Sequence, residues 1–376
     1  MTRWVALLLV VLTACAEDPT TPAGGPAEPA ACPGGVEAAA WTAPRQVAVT
    51  GPSVNALHVV GDQILMVVSQ DNTIMAYDPE TQAIRRFADL GNDRGPYDLA
   101  WNDTHIFVTN FVSESVSVFD RTGHLVAELT DGFAGPSGVA VGEGVVYVSN
   151  VDYLSPTQGY GDGYVAVIDA DDFTTLGTIP TAHKNPQFLR YDQGALFVSD
   201  TGALDFVDGR AVATTSGALE RWSFAANPLQ PTVEVAELPV DSPTAGASPG
   251  RPVIVGSSAY VASATAPHVY ALDLTTFVWR RGLDNPIVLY ASSADALHHM
   301  ATDGSILYVS AFNRDDLWRI DPSCDAVLGS PIPVGSSDLL EGAHDLVAVP
   351  GSHGTNIFVA LNLANSLTQL TIENAP

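Results

Sequence analysis

The chain has 376 residues, 46% hydrophobic and 15% charged, enough for a large core and too apolar for a chain that is disordered throughout. Acidic residues number 42 against 15 basic ones, a formal net charge of −27, and Lys184 is the only lysine. Such a surface repels phosphate backbones, which argues against nucleic acid as a partner.

At the start, Met1-Thr2-Arg3 is positive, Trp4 to Leu12 is an apolar run too short to cross a bilayer, and Leu12-Thr13-Ala14-Cys15 follows. The tetrapeptide resembles the lipobox of bacterial lipoproteins. That resemblance implies a signal peptide over residues 1–15, a lipid on Cys15, and a membrane-anchored exported protein. Ala16 fits delivery to the outer membrane, on its periplasmic or its external side. An ordinary cleaved signal with an incidental cysteine is the alternative. Residues 16–40 are rich in Pro, Ala, Gly and Glu without a periodic apolar face, and read as a semi-extended tether.

Residues 41–376 form the folded body, and its organisation lies in a repeated strand phrase. Phe107-Val108-Thr109-Asn110 recurs as Tyr147-Val148-Ser149-Asn150 and Phe197-Val198-Ser199-Asp200. It returns as Tyr260-Val261-Ala262-Ser263, Tyr308-Val309-Ser310-Ala311 and Phe358-Val359-Ala360-Leu361, with a weaker first copy at Leu65-Met66-Val67-Val68. Strand repeats spaced by roughly 40–60 residues are the mark of propeller blades. Around each phrase the pattern is the same: an apolar strand, a short turn, the phrase, a connection, a third strand ending in Asp, and a fourth strand. Ser115-Val116-Ser117-Val118-Phe119 shows the period-two alternation of a half-buried strand. Asp78, Asp120, Asp169, Asp273 and Asp321 stand where a carboxylate can cap the next turn. No segment has a helical period.

The last repeat has three strands before the chain ends, and Arg45-Gln46-Val47-Ala48-Val49-Thr50 supplies the missing fourth. The expectation is all-β: a seven-bladed propeller closed by its N-terminal strand, which hides the edges that invite aggregation. Pro136-Ser137-Gly138-Val139-Ala140-Val141 followed by Tyr147-Val148-Ser149-Asn150 resembles the repeat of the YVTN/NHL-type bacterial propellers. The resemblance spans nearly all of residues 45–376 and implies fold more than function. Blades four and five depart from it by insertions and by Ala262-Ser263.

With Cys15 lipidated, Cys32 and Cys324 remain. Cys324 falls in a turn of blade six on the lower face, where the N-terminal segment also enters, so a Cys32–Cys324 disulfide is expected in an exported protein. Two unpaired thiols are the alternative.

The lower-face turns are short, whereas the upper face carries long connections: residues 152–163 in blade three, about 201–217 in blade four, and about 241–249 leaving blade four. Binding is expected on that upper face. Tyr153 and Tyr160 are either contact aromatics there or local packing. The residues heading each innermost strand, next to the central channel, read Asn55-Ala56, Tyr97-Asp98, Ser137-Gly138, Gln187-Phe188, Arg251-Pro252, His298-His299 and His344-Asp345. Asn55, Tyr97, Asp98, Gln187, Arg251, His298, His299, His344 and Asp345 are thus candidate binding residues. His299, His344 and Asp345 are the candidate ligands of a divalent metal, the one cofactor the residues suggest. Arg251 equally suits an anionic ligand, and a channel mouth of satisfied polar groups is the plain alternative.

Other motifs carry little. Gly246-Ala247-Ser248-Pro249-Gly250 has the spacing of a nucleophile elbow without its strand and helix. Asp169-Ala170-Asp171-Asp172 lacks the glycine and distal glutamate of a calcium loop. No catalytic residue can be named. The leading reading is therefore a monomeric, lipid-anchored binding module for a protein, glycan or small molecule. The alternative is a metal-assisted lyase or hydrolase at the channel mouth, where some similar propellers, the streptogramin-lyase type among them, do chemistry.

Overall fold

The computed structural model describes residues 40–155, 157–207, 210–240, 248–290, 297–335 and 339–373. The lipobox with Cys15, most of the tether, and Cys32 lie outside the described residues. Among those described, every regular element is a strand.

The strands make a seven-bladed β-propeller of antiparallel sheets. Blade two is typical: Pro96–Trp101 innermost, then His105–Asn110, Ser115–Asp120 and Leu125–Leu129 at the rim. In blades five and six the outer strand comes in two pieces, with Ile287–Val288 and Ile332–Pro333 completing it. Arg45–Val49 pairs antiparallel with Ser366–Glu373 and completes blade seven. The pairing runs on to the lower face, where Glu373 N donates to Ala40 O at 2.9 Å.

Why the ring holds follows from the alternation. Phe107 packs toward blade three with Val146, Val148 and Ile168, whereas its neighbour Val108 packs toward blade one with Leu65, Val67 and Ile74. Successive side chains of a strand point to opposite faces, so each blade feeds two cores. Every neighbouring pair of blades shares one such cluster, and the last joins Phe358, Ala360 and Leu367 of blade seven to Ile64, Met66 and Tyr77 of blade one.

All five expected turn aspartates cap as anticipated. Asp78, Asp120, Asp169, Asp273 and Asp321 each accept the backbone N–H two residues on, at 2.8–2.9 Å. Cys324 is disulfide-bonded. Two of the three long upper connections, expected as irregular loops, contain hairpins: Tyr153–Ser155 with Gly159–Tyr160, and Leu204–Val207 with Arg210–Ala213.

Candidate functional site

The innermost strands do not enter the channel as plain strands. In every blade the first turn holds one residue more than the strand beside it. Between Pro96↔Asn110 and Leu99↔Val108, for instance, Tyr97 and Asp98 together face Thr109. The same bulge recurs at Asn55, Ser137-Gly138, Gln187, His298-His299 and His344-Asp345. A bulge re-aims side chains at strand ends. Here it turns two consecutive residues toward the channel, so adjacent residues such as His298 and His299 share one site. The first of each pair is half-buried at the mouth in Tyr97, Gln187, His298 and His344; the second is buried, in Asp98, Phe188, His299 and Asp345.

Blade five corrects the sequence frame. Pro249 bridges Ser263 and Val253 pairs with Tyr260, so the bulged pair is Gly250–Arg251 rather than Arg251–Pro252. Arg251 therefore stands level with Asp98, His299 and Asp345.

The serine or threonine of the repeated phrase holds these bulges. Thr109 Oγ1 accepts from Asp98 N at 3.1 Å and donates to Ser137 O of the next blade at 2.6 Å. Ser310 does likewise, accepting from His299 N at 3.1 Å and donating to His344 O at 2.6 Å. Ser199 donates to Gly250 O at 2.8 Å. One hydroxyl thus satisfies the bulge of its own blade and pins the bulge of its neighbour.

The floor of the site is an ion network spanning the ring. Arg251 reaches Asp98 (Nη2 to Oδ1, 3.0 Å) and Asp345 (Nη1 to Oδ2, 3.5 Å). Its guanidinium also lies 5.8 Å from the centre of the Phe188 ring, whose edge meets His299. Asp345 accepts Leu57 N and Leu346 N, both at 2.8 Å. Asp98 accepts Leu99 N at 2.9 Å and lies 2.7 Å from His58 Nε2. Burial alone would raise Asp98, but the Arg251 charge and the His58 contact bring it below the usual carboxylate range. Burial works against the Arg251 charge too, and the two carboxylates outweigh it and hold the guanidinium charged.

Above this floor, His298, His299 and His344 come together. Ring centres lie 4.6 Å apart for His298 and His344, and 5.2 Å for His299 and His344. One ligand atom from each of the three lies within 4.8 Å of the others. Asp345, expected among the ligands, is instead committed to the two backbone amides and Arg251, with Oδ1 3.6 Å from His299 Nδ1. Burial depresses all three imidazoles, His298 to about 4 and the other two well below their ordinary range, so they are neutral at pH 7. The Nδ1 atoms of His299 and His344 and the Nε of Arg251 are buried without a hydrogen-bond partner.

Opposite the histidines, Tyr97 packs near Phe111 and bonds Gln187 through its hydroxyl, and burial raises its pKa. Asn55 is a strut instead, donating to Ser69 Oγ at 3.1 Å and Pro96 O at 3.3 Å. Tyr153 and Tyr160 pack on each other with ring centres 5.2 Å apart, and Tyr160 is 9% exposed. Lys184 Nζ donates to Tyr160 O at 2.8 Å. Beside it a cavity of about 410 Å³ opens among Asp162, Thr181, His183, Lys184 and Thr215. His58, two residues beyond the head of its strand, joins the site through Asp98. Its signal was the period of two, which puts His58 on the channel side with Ala56.

No family model matches the chain, and no curated protein sequence matches it. Solved structures do. A streptogramin B lyase aligns with TM-score 0.65 and 13% identity over 89% of this chain and 98% of that one. The virginiamycin B lyase from Staphylococcus aureus gives 0.66 and 13%, over 88% and 99%. The WD40 repeats of RRP9 give 0.62 and 12%, over 90% and 99%. At such identity the likeness is one of fold: this chain is built as a seven-bladed propeller over nearly its whole described length.

Proposed function

We propose that this protein is an exported, lipid-anchored propeller that binds a small ligand at the upper mouth of its central channel. The lipobox-like start supports the anchor and the envelope location. The described chain enters the ring at the lower face, opposite the mouth.

Three neutral imidazoles, Tyr97 and Gln187 converge over a floor plugged by Arg251, with buried polar atoms there left unpartnered. An unpaired buried polar group costs about 1–3 kcal/mol, a cost that a ligand supplying the missing partners would remove. The convergence of a few half-buried polar side chains from several blades on one point suits a small molecule or a terminal sugar better than a protein surface. A panel of metabolites and sugars, screened by thermal shift on the full-length protein, should give hits whose stabilisation disappears in Gln187→Ala. Those hits should survive in Asp205→Ala on the blade-four hairpin. Hits with the opposite pattern would move the site to the hairpins.

A second reading, a lyase or hydrolase at the same mouth, is favoured by the neutral histidines and by the lyases that share the architecture. A neutral imidazole can accept a proton from a bound substrate. Its signature would be turnover lost in His344→Ala while the ligand still binds.

A further inference from the structure

We propose that His298, His299 and His344 bind a single transition-metal dication at the channel mouth, with Asp345 as a positioning residue for His299. The inference rests on the reading of the mouth as the binding site, and its test uses the metal alone so that the two can fail separately.

The geometry is that of a site drawn slightly open. The three imidazole ligand atoms lie within 4.8 Å of one another. Nitrogens about 2.0–2.1 Å from one tetrahedral ion sit roughly 3.3 Å apart. Closing that gap takes ring movements of about an ångström, not a change of backbone. The bulge at His298-His299 matters here, because on a plain strand the two rings would point to opposite faces.

The chemistry of the donors selects the ion. A set of imidazoles suits zinc, copper, nickel, cobalt or iron, and offers nothing to magnesium or calcium, which take oxygen. In the floor the Asp98 and Asp345 carboxylates offset the guanidinium of Arg251, and His58 lies 2.7 Å from Asp98.

Asp345 completes the arrangement. Its Oδ1 lies 3.6 Å from His299 Nδ1, just beyond a hydrogen bond. A small rotation of the ring lets Nδ1–H donate to the carboxylate and leaves Nε2 for the metal, the usual way a second partner orients a ligating histidine. His298 and His344 are half-buried on the mouth side. Three protein ligands with the fourth position toward solvent is the plan of sites that also take an exogenous ligand.

The test uses the full chain without an affinity tag, stripped with chelator and titrated with Zn²⁺ and Co²⁺. Wild type should bind about one equivalent and give the intense visible bands of low-coordinate Co²⁺. Affinity should fall at least 100-fold in His299→Gln and His344→Gln, and stay unchanged in His124→Ala on the surface. Asp345→Asn should lower affinity by roughly 10–100-fold and shift the Co²⁺ bands without abolishing them. Melting of the metal-free proteins distinguishes lost ligands from lost fold, and His344→Gln keeps ring-sized bulk should His344→Ala fail to fold. Substoichiometric binding to folded wild type, or equal binding in the folded His299→Gln and His344→Gln variants, would overturn the proposal.

Discussion

At the scale of the residue, the repeat shows what each position is for by where one blade breaks it. Asn150 closes its strand by accepting Ala134 N at 2.9 Å through Oδ1 and donating to Val148 O at 3.0 Å. Blade four has Asp200 there. Its Oδ2 still accepts a loop amide, His183 N at 3.1 Å, but the group is buried beside Glu220 and Oδ1 has no partner. Burial first, and the Glu220 carboxylate second, push Asp200 well above its ordinary 3.8. The native state thus holds a proton that the unfolded chain gives up near pH 4. This contribution to stability is complete below pH 3.8 and is lost as pH rises through the native pKa. Asp200→Asn keeps the acceptor, adds a donor toward Glu220 and removes the titration. We expect it to raise the melting temperature at pH 7.5, with a gain that shrinks as pH is lowered toward 4. A gain independent of pH would mean that Asp200 is not protonated in the native state. The departure from Asn to Asp was legible in the sequence. Its consequence was not, because Glu220 is brought beside it only by strand pairing across 20 positions.

At the scale of the element, the bulge is the device on which the site depends. Expected alternation placed the right residues at the heads of the innermost strands, yet gave no reason for two consecutive side chains to face the channel. It also misframed blade five, where Pro252 precedes the first apolar residue and stands in the position of Leu99. An extra residue slips a period-two pattern by one, but at the head of a strand too few residues precede it for the slip to show. The mark it did leave was the hydroxyl of the repeated phrase, which the structure explains as the partner of the bulge. Thr109→Ala and Ser310→Ala should each cost about 1–3 kcal/mol of stability, since both leave a buried amide and a buried carbonyl unpaired. Their effects should separate at the site. Only Ser310→Ala frees His299 from His344, so only it should weaken Zn²⁺ binding. Equal losses of affinity in the two variants would show that the bulge does not position the histidines.

At the scale of the whole molecule, fold and closure were largely legible, because seven similar phrases and one missing strand left a single economical arrangement. The convergence of sites was not, since Arg251 meets Asp98 and Asp345 only once the ring closes. Removing the Arg45–Val49 strand should expose the edge of Ser366–Glu373 and open blade seven, with a lower melting temperature and self-association that grows with concentration. A truncated protein that melts and remains monomeric like the full chain would show that the strand is dispensable. The mouth histidines would then lie on a ring that closes by other means. The most direct measurement on the whole account is X-ray absorption at the zinc edge of the loaded full-length protein. The expected result is a first shell of three imidazole nitrogens at about 2.0 Å with one further light ligand; a shell of oxygens without imidazole scattering would contradict it.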